Sequence, residues 1–142
     1  MAEGTLKDWL AEHPPPDHAF TQSLAVVAER AREGADFPVA IREFLDEFAL
    51  LPRSDLRARA LSDQPSPTGA PRYDAYLGAL AEHLAAIHGL ERPAWTVDPV
   101  RFLEAFWFPS EVRGFRALAI AQSPAAFRRR GIFIAQGSLD RR

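Results

Sequence analysis

The 142-residue chain contains no cysteine, which excludes disulfides, thiolate zinc sites and cysteine nucleophiles and fits an intracellular location. Any metal chemistry is therefore left to His, Asp and Glu. Lys7 is the only lysine among 17 basic residues, a bias toward arginine that reflects a GC-rich coding sequence more than chemistry. No apolar run is long enough to cross a bilayer, and the start, MAEGTLKDWLAEHPPP, lacks the basic segment and apolar core of a secretory signal. The chain reads as cytoplasmic, with no membrane partner. Glycines are scattered: neither G-x-x-x-x-G-K-[ST] nor G-x-G-x-x-G occurs, so no phosphate-cradling loop is present. No serine stands in a G-x-S-x-G elbow either.

What is present is a core. Hydrophobic residues make up 47% and charged residues 25% of the chain, which suits one globular domain. The charge is uneven. Residues 1–62 carry 7 basic and 11 acidic side chains, the remainder 10 and 8, so an acidic half precedes a basic one within a net charge of −2.

Hydrophobic spacing predicts an all-α domain of about six or seven helices with a short extended C-terminal tail. A short helix is expected over Leu6–Glu12, stopped by Pro14, Pro15 and Pro16. A second is expected over His18–Arg32, with Asp17 as N-cap and Gly34 as C-cap. Asp36 then precedes an apolar stripe of Phe37, Ile41, Phe44, Leu45 and Phe48, helical to about Leu50. Ser54 caps a shorter helix through Leu61. The segment 63–72, DQPSPTGAPR, carries three prolines and a glycine, and reads as a linker between the N-terminal half 1–62 and the aromatic-rich half 73–142. Tyr73–His88 places Tyr73, Tyr76, Leu77, Leu80, Leu84 and Ile87 on one face and should be central to the core.

The stretch from Trp95 to Ile134 holds two of the three tryptophans and is expected to be the element on which the other helices pack. Within it Asp98 and Pro99 signal a helix over Val100–Trp107, apolar nearly all round, with only Arg101 and Glu104 left for water. Ser110 and Ser123 read as caps of two further helices, the last closed by Gly131. Ile132, Phe133 and Ile134 form a strand-like tail packed on the helices or on a partner.

No residue set spells out catalysis, a metal site or a cofactor site. His83 and His88 are five positions apart, about 140° around a helix, and cannot share one ion unaided. They read as partly buried histidines. Glu43, Asp46 and Glu47 read as solvated charges on a helix face. Arg128, Arg129 and Arg130, backed by Arg113, Arg116, Arg141 and Arg142, could meet phosphates, acidic protein surfaces or the acidic half of the same chain. The slightly acidic balance favours protein over nucleic acid. Trp107 and Phe108 beside Pro109, with Ile132 and Phe133, are the candidates for an apolar patch that closes on a second chain.

The run YDAYLGALAEHLAAIHGLERPAWTVDPVRFLEAFWF, with the later SPAAFRRRGIFI, resembles the C-terminal region of small helical proteins from high-GC bacteria. The resemblance covers about Asp36 to Ile134. Many of those proteins carry an Xre-type helix-turn-helix in front, and some look like antitoxin or regulatory partners encoded beside a toxin-like gene. In that position this chain has only the short helices before Gly34, so the resemblance implies the partner-binding half without the DNA-binding one. The combined expectation is non-enzymatic protein recognition or self-association through Trp107, Phe108, Arg128, Arg129, Arg130, Ile132 and Phe133, without cofactor. The alternatives are a small DNA-associated regulator using the C-terminal arginines, and an enzyme with no familiar motif built around His83 or His88.

Overall fold

Seven successive residues of one helix, Ala75 to Ala81, are buried, so that helix must be covered on every side. The computed structural model, which describes residues 23–110 and 113–140, builds the protein around it. Six α-helices and no strand are present among the described residues: α1 (Leu24–Arg32), α2 (Phe37–Ala49), α3 (Ser54–Ser62), α4 (Pro71–Ile87), α5 (Arg116–Gln122) and α6 (Ala125–Arg128). None is long and apolar enough to cross a membrane. The helix expected over Leu6–Glu12 lies outside the described residues.

The early helices follow their local signals. Ser23, with extended backbone, accepts from the Val26 amide and starts α1; Asp17 and the expected start at His18 lie outside the described residues. Gly34, at φ +97°, turns the chain out of it. Asp36 accepts from the Val39 amide at 3.1 Å, and Phe37, Ala40, Ile41, Phe44, Leu45 and Phe48 bury one face of α2. Both α1 and α3 pack on α4. At the start of α2, Phe37 stacks on Tyr73 at 4.1 Å and meets Tyr76 edge-on at 5.6 Å.

The proline-rich segment before α4 is irregular, as expected, but it is pinned into the core. Pro65 is buried, and its carbonyl accepts from Arg101 Nη2 at 2.8 Å. Thr68 gives its amide and its hydroxyl to Asp74, each at 2.9 Å. Trp95 Nε1 donates to the Leu61 carbonyl at 3.1 Å, which ties the end of α3 to the far side of the segment.

The helix expected over Val100–Trp107 does not form. Asp98 does accept from the Val100 amide, but the result is a single 3-10 turn, Pro99–Arg101, following another at Ala94–Val97. Residues 102–110 contain no helix. Their backbone pairs with the C-terminal segment: the amides of Leu103 and Trp107 donate to the carbonyls of Arg130 and Gly131, and Phe133 donates to Trp107 at 3.0 Å. Trp107 and Ile132 form an isolated parallel bridge. Glu104 faces water as expected, but Arg101 and its apolar neighbours exchange the places expected of them. Arg101 is 2% exposed, whereas Val100 is 60% and Phe106 74% exposed. Burying Arg101 gives its guanidinium two carbonyls, Pro65 and Asp74, and the Trp95 ring at 4.9 Å. A continued helix would turn that side chain to water and leave the Pro65 carbonyl without this donor.

Gly78 in α4 makes room for Arg101. A Cβ there would lie 2.9 Å from Arg101 Cβ. The stretch from Trp95 to Ile134 is thus a wrapping of short turns around α4, not a frame on which helices pack.

Candidate functional site

The residues expected to form a partner surface divide between interior and exterior. Ile132 (0% exposed), Phe133 (8%) and Arg130 (0%) are interior, because the bridge to Trp107 draws the tail against α4 and α6. Ser123 holds it there. Instead of capping α6, its hydroxyl donates to the Ile132 carbonyl at 3.0 Å and accepts from the Ile134 amide at 3.3 Å.

The three arginines point different ways, each toward this chain's own atoms. Arg128, at the end of α6, donates to the carbonyl of Ser123 at 3.0 Å. Arg129 lies 3.4 Å from Glu82 and over the Phe102 ring. Arg130 is clasped by the carbonyls of Ala126 and Thr96 at 2.8 and 2.7 Å and by Glu82 at 3.3 Å, with Phe102 beneath it. Burial lowers the Arg130 pKa, and Glu82 opposes that shift. The last helix, α6, has only 4 residues and buries Ala126 and Phe127, so it is too short to offer an exposed face that could lie in a DNA groove.

His83 faces Phe127, and His88 faces Phe48 edge-on at 5.2 Å. Both imidazoles have pKa values below the ordinary one, first because burial disfavours the charged ring; after that, His88 acts on His83 and Arg57 on His88. Among the described residues no three His, Asp or Glu side chains come together in a way that could hold a metal ion.

Trp107 and Phe108 are partly buried and sit in the floor of a broad groove of about 1550 Å³. One wall is α2 with the start of α4, carrying Phe37, Ile41, Leu45 and Tyr73; the other is formed by Phe115, Leu118 and Ala119 around α5. Two ring systems floor it. Tyr73 and Tyr76 meet Trp107 at 6.4 and 6.2 Å, while Phe106 and Phe108 both rest on Phe133, at 5.1 and 5.3 Å. Three large apolar side chains here remain open to solvent: Phe106 at 74%, Phe115 at 54% and Leu118 at 42%.

Arginine supplies the charge that the described residues bring to this groove. Among the described residues Arg42, Arg72 and Arg116 line it, and no Asp or Glu does. Arg72 lies 5.6 Å from the Trp107 ring centre and Arg116 5.1 Å from that of Phe108, so both cations are held against aromatic faces.

The sequence singled out Trp107 and Phe108 but missed Arg42, Arg72, Phe106 and Leu118 as neighbours. They come from four separate segments, and no local periodicity could join them. The available signal was the excess of rings over what the packing of short helices requires. Compared with known proteins, the chain matches no family model, no curated protein and no solved structure.

Proposed function

We propose that the protein is a non-enzymatic protein-recognition module, with the groove between α2, α4 and α5 as its binding surface. The observation that carries this reading is the cluster of Phe106, Phe115 and Leu118, open to solvent around a floor of packed rings. Soluble proteins seldom leave large apolar side chains clustered in this way without a partner to cover them. Covering what remains exposed of the three would contribute about 3–5 kcal/mol, at about 1.5–3 kcal/mol per fully covered side chain. Association itself costs about 4–15 kcal/mol, so a stable complex also needs well-placed polar pairs, and the arginine rim supplies them.

The partner is a second copy or another protein, as in the antitoxin-like or regulatory role that the resemblance suggests. Nucleic acid has less support, because Arg128, Arg129 and Arg130 are already engaged within the chain. Among the described residues no convergent acid, base and nucleophile supports catalysis.

The test is purification from the native cells through an affinity tag, in parallel for the wild type and a Phe106→Ser/Leu118→Ser variant, with light scattering and mass spectrometry. A stoichiometric second protein, or a dimer, present with the wild type and lost with the variant supports the reading. A wild-type protein that emerges alone as a monomer refutes it.

A further inference from the structure

We infer that the groove takes an acidic amphipathic helix of a partner protein, apolar face down on Phe106, Phe115 and Leu118 and carboxylates at the arginine rim. This rests on the recognition reading above and adds the chemistry of what is recognised.

Charge is the first argument. The chain has 19 acidic residues against 17 Lys and Arg, yet every described charged residue lining the groove is an arginine. The three come from α2, the first turn of α4 and the first turn of α5, so they surround the groove instead of forming one sequence cluster. None is paired with a carboxylate among the described residues. Arg72 and Arg116 lie over ring faces, where a guanidinium keeps its N–H edges available for a two-pronged grip on a carboxylate.

Size and backbone chemistry select the helix. Small-molecule sites are about 300–1000 Å³, less than the 1550 Å³ here. A helix of three turns, about 16 Å long and 10 Å across, fills about 1300 Å³. An extended peptide would need an unpaired strand edge, but the amide and carbonyl of Trp107 are both bonded to the C-terminal segment. A single-stranded nucleic acid would need bare ring faces on which to stack bases. Arg72 covers Trp107, and Arg116 with Phe133 covers Phe108.

Fluorescence polarisation of the full chain against two labelled synthetic peptides tests this. Each peptide has about 18 residues with Leu and Phe at i, i+3, i+4 and i+7; one has glutamate at its polar positions and its twin has lysine there. The glutamate peptide is expected to bind in the micromolar range and the lysine twin about tenfold or more weaker. An Arg72→Glu/Arg116→Glu variant, altered at exposed side chains and checked for wild-type helicity, should reverse the preference. Equal binding of the twins overturns the acidic assignment while leaving the recognition reading to its own co-purification test. Binding of neither peptide also overturns it, as does a dT strand of about 20 nucleotides that binds and is displaced by neither peptide.

Discussion

Gly78 and Arg101 share one space: the side chain that Gly78 lacks is replaced by the Cβ, Cγ and Cδ of Arg101, at 2.9, 3.2 and 3.3 Å from where a Cβ would stand. In an ordinary helix, Gly→Ala gains about 1 kcal/mol. Here the added methyl strikes the first carbon of a side chain fixed by its own 3-10 turn, and overpacking of this kind costs about 1–3 kcal/mol. Set against that gain, Gly78→Ala should lower stability by up to about 2 kcal/mol in urea unfolding. A gain in stability would show that the 3-10 turn yields easily.

Arg101 should matter more than its neighbours in sequence. Arg101→Leu keeps much of the bulk but leaves the carbonyls of Pro65 and Asp74 without this donor, at a cost of about 2–4 kcal/mol. The effect should be local first. Amide exchange at Thr68 and Ala70 should quicken before that of α4, and uniform exchange across the chain would count against the pinning role.

Glu82→Gln tests the charge beneath α6. The amide still offers an oxygen to Arg130, but the buried guanidinium, 0% exposed, loses its counter-charge. Breaking buried pairs costs about 3–5 kcal/mol, and the two remaining carbonyl partners should hold the loss to about 2 kcal/mol. Thermal unfolding reads this directly. Glu104→Gln, at an exposed position, should change almost nothing.

Acidification should destabilise the fold before its carboxylates titrate. His83 and His88 both have folded pKa values below the ordinary 6.5, so the neutral ring is favoured on folding. Their contribution is complete above 6.5 and is lost as pH falls through the folded values. The melting temperature should drop between about pH 7 and pH 5. His83→Gln should flatten that slope; an unchanged slope would place its origin elsewhere.

The sequence was most legible where helices carry their own signals. Asp36 with the Phe37–Phe48 stripe, and Tyr73 through Leu84, give elements close to those observed, although Ile87, at the end of that stripe, is 60% exposed. It was least legible from Val100 to Phe108, where nearly every side chain is apolar and periodicity cannot tell helix from extended chain. The deciding residue was Arg101. Reading a charge as solvent-facing turned the segment over, because the carbonyls that receive it lie 27 and 36 residues away. Trp107 and Phe108 were found as rings in excess. Their groove was not, since its walls are joined only by tertiary packing.

The clasp on Arg130 also sets a schedule for synthesis. Its partner Glu82 is made 48 residues earlier, an interval of about 2–10 s at about 5–20 residues per second. Throughout that interval the face of α4 that Phe127 and Ile132 will cover has no lid. The growing chain must carry a nearly finished but open core, and it is in those seconds that a chaperone would find it.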